Sequence, residues 1–294
     1  MYQKISLLIS FISLFFSMTA IASDKILIIT HVHSRPDFIE LHAKTFKAFL
    51  KEDYEYVVFN DAPNDTMREQ MERMCKKLGI RCFRVPQEMH NGRQTPNYRH
   101  CDGIKYSLES LGFKHDGIVL MIDSDMFLIK PFSAAEYMKE YDFIGGFQSR
   151  SNDSIKVVHS APCLVFMDMR KLPNKRTLSF ETGYIEGLAC DVGGSTYYYF
   201  KNNPNVKTKL FTAISTHLVP REENQLRELG YDEATINFIF ILGKAYGMEF
   251  HGDNNFLHYY AGGSNWPGYS SEYHQEKTRL LNHYIDQLVI TYKK

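Results

Sequence analysis

The feature that most constrains the fold is a repeating alternation in the first half of the chain. Short apolar runs, KILIIT (Lys25 to Thr30), YEYVVFN (Tyr54 to Asn60), RCFRV (Arg81 to Val85) and GIVLMI (Gly117 to Ile122), are separated by stretches with helical spacing. One helix opens at Pro36, in keeping with the place of proline in a first turn. Another spans Asp65 to Leu78 and stops at Gly79, and a third fits Tyr98 to Leu111, ended by Gly112. Strands alternating with helices predict an α/β fold with a mostly parallel sheet and helices on both faces. In such sheets ligands sit beyond the carboxyl ends of the strands. The loop HVHSRP, Asp61 and the pair Asp123 and Asp125 all fall at such ends, so they should gather along one edge.

The second half is less regular. Phe143 to Phe147 and Cys163 to Asp168 read as strands with SRSNDS as a loop between them. ETGYIEGLACDVGGSTYYYF, from Glu181 to Phe200, is rich in glycine, acids and aromatics. Tyr231 to Tyr246 reads as a helix with Asp232 near its start, Met248 to His251 as a short strand, and Ser271 to Thr291 as a closing helix. With 294 residues, 44% of them hydrophobic, the chain can bury one large core or two modest lobes. It shows no repeat, low-complexity tract or linker, so a single domain over residues 23–294 is the simplest organisation. Lys and Arg total 34 and Asp and Glu total 34, so no net field draws the protein to nucleic acid; an anionic partner must be held by local groups.

The N-terminus stands apart. Lys4 precedes an apolar run from Ile5 to Ala22 that ends in Ala20-Ile21-Ala22 and turns polar at Ser23-Asp24-Lys25. A charged start, an apolar middle and an A-x-A end make residues 1–22 a secretory signal, with an uncleaved membrane anchor as the alternative. Either places the rest of the chain in an exported or secretory-pathway compartment. The five cysteines, Cys75, Cys82, Cys101, Cys163 and Cys190, cannot all pair, and none has the C-x-x-C spacing of a zinc site. One disulfide among Cys75, Cys82 and Cys101, or buried free thiols throughout, are the two readings.

The chemistry concentrates in VLMIDSDMFLIKPF, Val119 to Phe132. A buried strand should avoid carboxylates, because an uncompensated buried charge is costly. Yet Asp123 and Asp125 interrupt an apolar run that resumes immediately. On an extended chain, side chains at i and i+2 point the same way and can share one ligand. A divalent cation would neutralise both, and hard oxygen ligands suit Mg2+ or Mn2+.

This segment resembles the metal-binding D-x-D segment of nucleotide-sugar-dependent glycosyltransferases of the GT-A fold. The resemblance extends to ILIITHVHSRPDF near the start and FLHYYAGGSNW near the end, so it covers nearly all of the chain after the signal. It implies a Rossmann-type sheet with a nucleotide half (about residues 23–130) and a smaller acceptor-side sub-lobe (about 131–294). It also implies a nucleoside-diphosphate sugar donor, Mn2+ or Mg2+ as cofactor, and a glycan, protein or lipid acceptor. Several GT-A families place a late histidine on the same metal, followed by glycine and tryptophan. His258 matches that position, with Gly262 and Gly263 allowing close backbone approach to a diphosphate and Trp266 following. The metal ligands implied are thus Asp123, Asp125 and His258, and imidazole among carboxylates favours manganese over magnesium. The lysine those families carry between glycine and tryptophan is replaced here by Ser264 and Asn265.

By the same resemblance the loop after the first strand holds the nucleotide, nominating Thr30, His31 and Arg35, with Arg35 as a phosphate partner. Asp61 matches the position that binds base or ribose, Ser124 lies within the motif, and Asn97, Arg99 and His100 open the helix that reaches the donor sugar. The acceptor side rests on Glu181, Glu186 and Asp191. Transfer with inversion needs a carboxylate base, for which Asp191 ranks first and Glu186 second; transfer with retention would make them sugar-binding groups. Tyr197, Tyr198 and Tyr199 either stack on an acceptor sugar or pack.

The implied activity is transfer of a sugar, from a UDP-sugar first, to an acceptor hydroxyl. A nucleotidyltransferase would carry a glycine-rich loop after its first strand, and HVHSRP has no glycine. The alternative that the signal keeps open is an exported, non-catalytic binding protein of the same fold, because activated sugars are made in the cytosol and reach only those lumens that import them.

Overall fold

The computed structural model describes residues 25–90, 92–93, 95–220, 222–260 and 270–292. The first half runs β1 (Ile26–Val32), α1 (Pro36–Phe49), β2 (Tyr54–Asn60), α2 (Asp65–Leu78), β3 (Arg81–Arg84), α3 (Pro96–Ser110), β4 (Ile118–Ile122) and β5 (Met126–Leu128). The second half runs α4 (Ala134–Met138), β6 (Phe143–Ser151), β7 (Lys156–Asp168), β8 (Gly183–Ile185), β9 (Leu188–Cys190), α5 (Thr196–Asn202), β10 (Thr208–Phe211) and β11 (Ile214–Ser215). It continues through α6 (Glu223–Glu228), α7 (Glu233–Leu242), β12 (Glu249–His251), β13 (Phe256–His258) and α8 (Ser271–Tyr292).

The expected α/β architecture is present. A seven-stranded sheet has the order β10-β6-β7-β4-β1-β2-β3. β1 is parallel to β2 and β4, β2 to β3, and β10 to β6, while β7 runs antiparallel to both of its neighbours. The first strands read as continuous apolar runs because both faces of the sheet are covered. Ile26, Ile28 and Val32 of β1 join one core cluster, and Leu27 and Ile29 join the other. Tyr56 and Val58 against Val57 and Phe59 repeat this on β2, as do Leu120 and Ile122 against Val119 and Met121 on β4. α1, α2, α7 and α8 supply the first cluster through Phe38, Met71, Ile239 and Leu281; α3 supplies the second through Ile104 and Leu108.

Local signals set most boundaries. Asn64 caps α2 by accepting from the Met67 N–H at 2.9 Å, and Gly79 ends it in the left-handed region. α7 is shorter than the expected 231–246, because Asp232 caps its start through the Thr235 N–H and Gly243 closes it at a positive φ. α3 starts earlier than expected, at Pro96. The largest difference lies in SRSNDS, expected as a loop. β6 runs on to Ser151 and β7 begins at Lys156, so only residues 152–155 turn. There Asn152 Oδ1 accepts from the N–H groups of Ser154 and Ile155. Antiparallel pairing satisfies the backbone of these polar residues, which carry no apolar alternation to announce a strand.

The glycine-rich stretch forms a two-residue hairpin, β8 to β9, whose turn residues Glu186 and Gly187 both have positive φ. Beyond it, Gly193 donates to the Phe180 carbonyl at 2.8 Å with φ 95, and a Cβ there would lie 1.9 Å from the Ser160 carbonyl oxygen. A second, four-stranded sheet, β11-β12-β13-β5, is antiparallel throughout and joins the aspartate turn to the late part of the chain. The five cysteines are all free thiols. Among the described residues, no helix is long and apolar enough to cross a membrane.

Lys277 of α8 is buried, donates to the Tyr260 carbonyl at 3.1 Å and lies 4.2 Å from the Tyr259 ring centroid. Burial lowers its pKa to about 8 against the opposing pull of Asp125 and Glu249. A lysine whose pKa falls on folding binds fewer protons folded than unfolded, so its cost is full below about pH 8 and fades toward about pH 10.4. The thermal midpoint of the metal-free protein should therefore rise between those limits relative to Lys277→Met, as scanning calorimetry across pH will show. Gly193→Ala should destabilise the fold by more than about 1 kcal/mol in denaturant melts, since positive φ and steric overlap act together.

Candidate functional site

β4 ends at Ile122, and the chain turns through Asp123, Ser124 and Asp125 before β5; the Met126 N–H closes this turn on the Asp123 carbonyl at 3.1 Å. The segment is thus a tight turn rather than the extended strand tip expected from spacing. The pairing of β5 with β13 sets His258 opposite Met126, and the Tyr259 N–H donates to the Asp125 carbonyl at 2.8 Å. This register brings His258 Nε2 to 3.4 Å from Asp125 Oδ1. Ligand atoms of Asp123, Asp125 and His258 all lie within 4.8 Å of one another. Opposite ligands on one octahedral ion sit about 4.2 Å apart at bonds of about 2.1 Å, so side-chain adjustment alone closes the three on a cation.

The electrostatics also call for positive charge at this point. Burial disfavours the His258 imidazolium, yet the carboxylate of Asp125, helped by Glu249 and Asp123, raises its pKa to about 10. A proton on His258 does in part what a divalent ion would do more fully. Two hard carboxylates with one imidazole fit Mn2+ or Mg2+, with Mn2+ favoured by the nitrogen ligand. His100 adds a second imidazole, its Nε2 3.4 Å from Asp123 Oδ1; burial opposes its protonation and Asp123 outweighs that.

The turn opens into a cleft of about 840 Å³, within the size range of small-molecule sites. His31, Asp61, Asn97, Arg99, Asp123, Ser124, Asp125, Asp191 and His258 all line it, so the structure gathers these nine expected residues. His31 is partly buried with its Nε2 2.9 Å from Ser107 Oγ, and desolvation with the nearby His100 lowers its pKa to about 3, leaving it neutral. Asp61 Oδ1 accepts from Arg99 at 2.6 Å and from His90 at 3.0 Å, and the other His90 nitrogen lies 3.0 Å from Asp102. This buried network fixes Asp61 and Arg99 at the cleft wall. Asp191 Oδ1 accepts from Asn97 Nδ2 at 3.0 Å and from the Val192 N–H at 2.8 Å, tying the acceptor-side loop to the start of α3.

Other expected site residues lie elsewhere. Thr30 is fully buried within β1 and does not line the cleft, because its neighbour His31 takes the position that faces it. Arg35 pairs with Asp37 at 2.6 Å, reaches Thr278 and lies over the Phe38 ring, committing it to the join of α1 and α8 rather than to the described cleft wall. Glu186 sits in the β8–β9 turn and pairs with Lys201 at 2.8 Å, and Glu181 pairs with Arg93; neither lines the cleft. Tyr199 is buried and donates to the Pro173 carbonyl at 2.7 Å, and Tyr197 packs on Tyr198, so this cluster is packing. Gly262, Gly263 and Trp266 lie outside the described residues.

Glu249 and His251 line the cleft beside His258 and were not anticipated as site residues. The signal was the alternation in MEFH, which places both side chains on one face of a strand. Hydrogen bonds from His251 and His258 hold the Glu249 carboxyl far below the usual carboxylate range.

No family model and no curated sequence matches the chain. Solved structures resemble it distantly. A mannosyltransferase from Pyrobaculum calidifontis in complex with GDP-Man and Mn2+ aligns at 14% identity over 64% of this chain and 55% of its own, with a TM-score of 0.41. The bifunctional glycosyltransferase WbbM, in its apo structure, aligns at 9% identity over 65% of this chain and 39% of its own, with a TM-score of 0.39. Core-mannan synthase A from Aspergillus fumigatus, in an Mn/GDP form, aligns at 11% identity over 44% of each chain, with a TM-score of 0.31. This chain therefore spans about half or less of the proteins it overlays.

Because His258 is protonated in the metal-free protein, it must lose that proton to become a ligand. Mn2+ affinity should rise as pH increases below about 10, with one proton released per ion bound. Calorimetry in buffers of different ionisation enthalpy measures the release, and Asp125→Asn should weaken binding by at least about tenfold.

Proposed function

We propose that the protein is a metal-dependent glycosyltransferase that moves a sugar from a nucleoside-diphosphate donor, a UDP-sugar first, to a hydroxyl of a glycan, protein or lipid acceptor. The observation that carries the reading is the convergence of Asp123, Asp125 and His258 at the carboxyl edge of a largely parallel sheet, within a cleft of about 840 Å³. The three side chains would hold Mn2+ or Mg2+, which when bound neutralises the diphosphate and stabilises it as a leaving group.

The protein's own groups divide the remaining tasks. Asp61, held by Arg99 and His90, offers a rigid acceptor for base or ribose hydroxyls. Arg99 and neutral His31 line the cleft between that wall and the aspartate turn. Asn97 and Asp191 lie at the acceptor side, where Asp191, oriented by Asn97 and the Val192 N–H, is the residue placed to take a hydroxyl proton in an inverting transfer. Glu186 is committed to Lys201 and has no part in this scheme. The N-terminal segment supports an exported or luminal protein, anchored if the segment is retained.

Titration calorimetry with UDP and with GDP, each with and without Mn2+, tests the donor site. Metal-dependent binding of one nucleotide, abolished in Asp125→Ala, is the expected result, and it names the base. Binding of neither nucleotide would sink the reading. Nucleotide release from the matching donor sugar, lowered at least about a hundredfold in Asp191→Asn, would assign the base. Metal-dependent binding without turnover would favour a non-catalytic exported protein instead.

A further inference from the structure

The second sheet carries two residues, Glu249 and His251, that the proposed sugar transfer does not use, beside one, His258, that it does. Glu249 and His251 project from the same face of β12, and Glu249 stands directly opposite His258 in the β12–β13 hairpin. The Glu249 carboxylate oxygen Oε2 lies 3.2 Å from His251 Nε2 and 3.3 Å from His258 Nδ1. Ligand atoms of the three residues are within 4.8 Å of one another, and all three line the cleft. In a tetrahedral site with bonds of about 2.1 Å, neighbouring ligands stand about 3.4 Å apart, close to both measured separations. One carboxylate with two imidazoles is the donor set of borderline ions, zinc foremost, rather than of the hard ions that suit Asp123 and Asp125. His251 is 5% exposed, and its Nδ1 has no hydrogen-bond partner among the described residues. With no acceptor at Nδ1, the ring hydrogen stands on Nε2 and is donated to Glu249; an ion seated between Nε2 and Glu249 would take the place of that hydrogen, leaving the ring's N–H at Nδ1.

We propose that Glu249, His251 and Nδ1 of His258 form a second divalent-ion site, selective for zinc, which inhibits the protein by taking His258 from the Asp123–Asp125 site. The inhibition rests on the glycosyltransferase reading; the site itself rests on the hairpin geometry alone. His258 belongs to both sites, because its two nitrogens face different carboxylates: Nδ1 faces Glu249 and Nε2 faces Asp125. A neutral imidazole has one lone pair. When Nδ1 holds zinc, Nε2 carries the hydrogen and donates it toward Asp125, so the first site loses its nitrogen ligand. When Nε2 holds Mn2+, Nδ1–H donates to Glu249, which then orients the ring, and the second site is incomplete. The two ions therefore exclude each other through one side chain, and the antagonism must be reciprocal. Zinc stands above manganese in intrinsic affinity for nitrogen-containing sites, so low zinc would displace higher manganese.

Co2+ reports the second site optically, since tetrahedral coordination gives intense visible bands. The full chain, without nucleotide, is titrated with Co2+ and then with Zn2+; free Mn2+ is followed by paramagnetic resonance with and without one equivalent of zinc. The proposal expects Co2+ bands that zinc abolishes, and Mn2+ affinity lowered at least tenfold by zinc. His251→Gln and Glu249→Gln should each lose the bands, with His251→Gln still binding Mn2+. Asp123→Asn should keep the bands and lose Mn2+. Bands that persist in both His251→Gln and Glu249→Gln, or vanish in Asp123→Asn, would overturn the proposal, as would zinc and Mn2+ binding together without mutual weakening. Zinc binding with no Mn2+ binding in the wild type would sink the glycosyltransferase reading while leaving the second site in place.

Discussion

Everything at the cleft depends on the pairing of β13 with β5. Asp123 and Asp125 interrupt a buried apolar segment, and two carboxylates so placed are tolerable only beside positive charge. The β5–β13 register supplies it by setting His258 across from Met126 and closing the turn with the hydrogen bond from Tyr259 to Asp125. A slip of one residue would turn His258 to the opposite face and leave Asp125 without its partner. The small antiparallel sheet thus decides whether the end of β4 is a ligand site or an unstable defect.

The large sheet makes that arrangement affordable. With apolar side chains alternating to both faces of β1, β2 and β4, it buries two clusters and fixes the positions of the strand ends. At the far wall of the cleft, Asp61 and Arg99 join a network that runs behind the wall through buried His90 and Asp102 to the partly exposed Arg93. Its carboxylates are each met by a guanidinium or imidazole group, while Nε of Arg93 and of Arg99 has no partner among the described residues. This network and the aspartate turn differ in kind: guanidinium groups pair the carboxylates of the network, whereas Asp123 and Asp125 of the turn each face an imidazole, His100 and His258.

His258 sits where these features meet. Its ring links the aspartate turn to Glu249, and through Glu249 to His251, so that side-chain chemistry on one short hairpin governs the charge balance of the whole site. Lys277, buried under Tyr259 and felt by both Asp125 and Glu249, adds distant positive charge without entering the cleft wall.

Local information was enough for much of this. β2 and α2 begin and end where apolar period, cap and glycine placed them, and Asp61, Asp123 and Asp125 fall at strand ends because an apolar run stops where it meets charge. Asp191 and Asn97 were legible as polar residues beside a turn and a helix start. Thr30, Arg35, Glu181 and Glu186, expected at the site, do not line the described cleft: strand alternation sets Thr30, Arg35 pairs with Asp37, Glu181 pairs with Arg93, and Glu186 sits in a positive-φ turn. Both strands of the β6–β7 hairpin were legible at their apolar ends, and only its polar tip was read as a loop, because cross-strand pairing, not apolar pattern, holds it. The sequence by itself determined the order of strands and helices and the points where charge interrupts them, since these depend on neighbours along the chain. Only the tertiary structure decided which distant groups, Glu249, His251 and His258, face the aspartate pair, because that choice is made by the register between strands far apart in sequence.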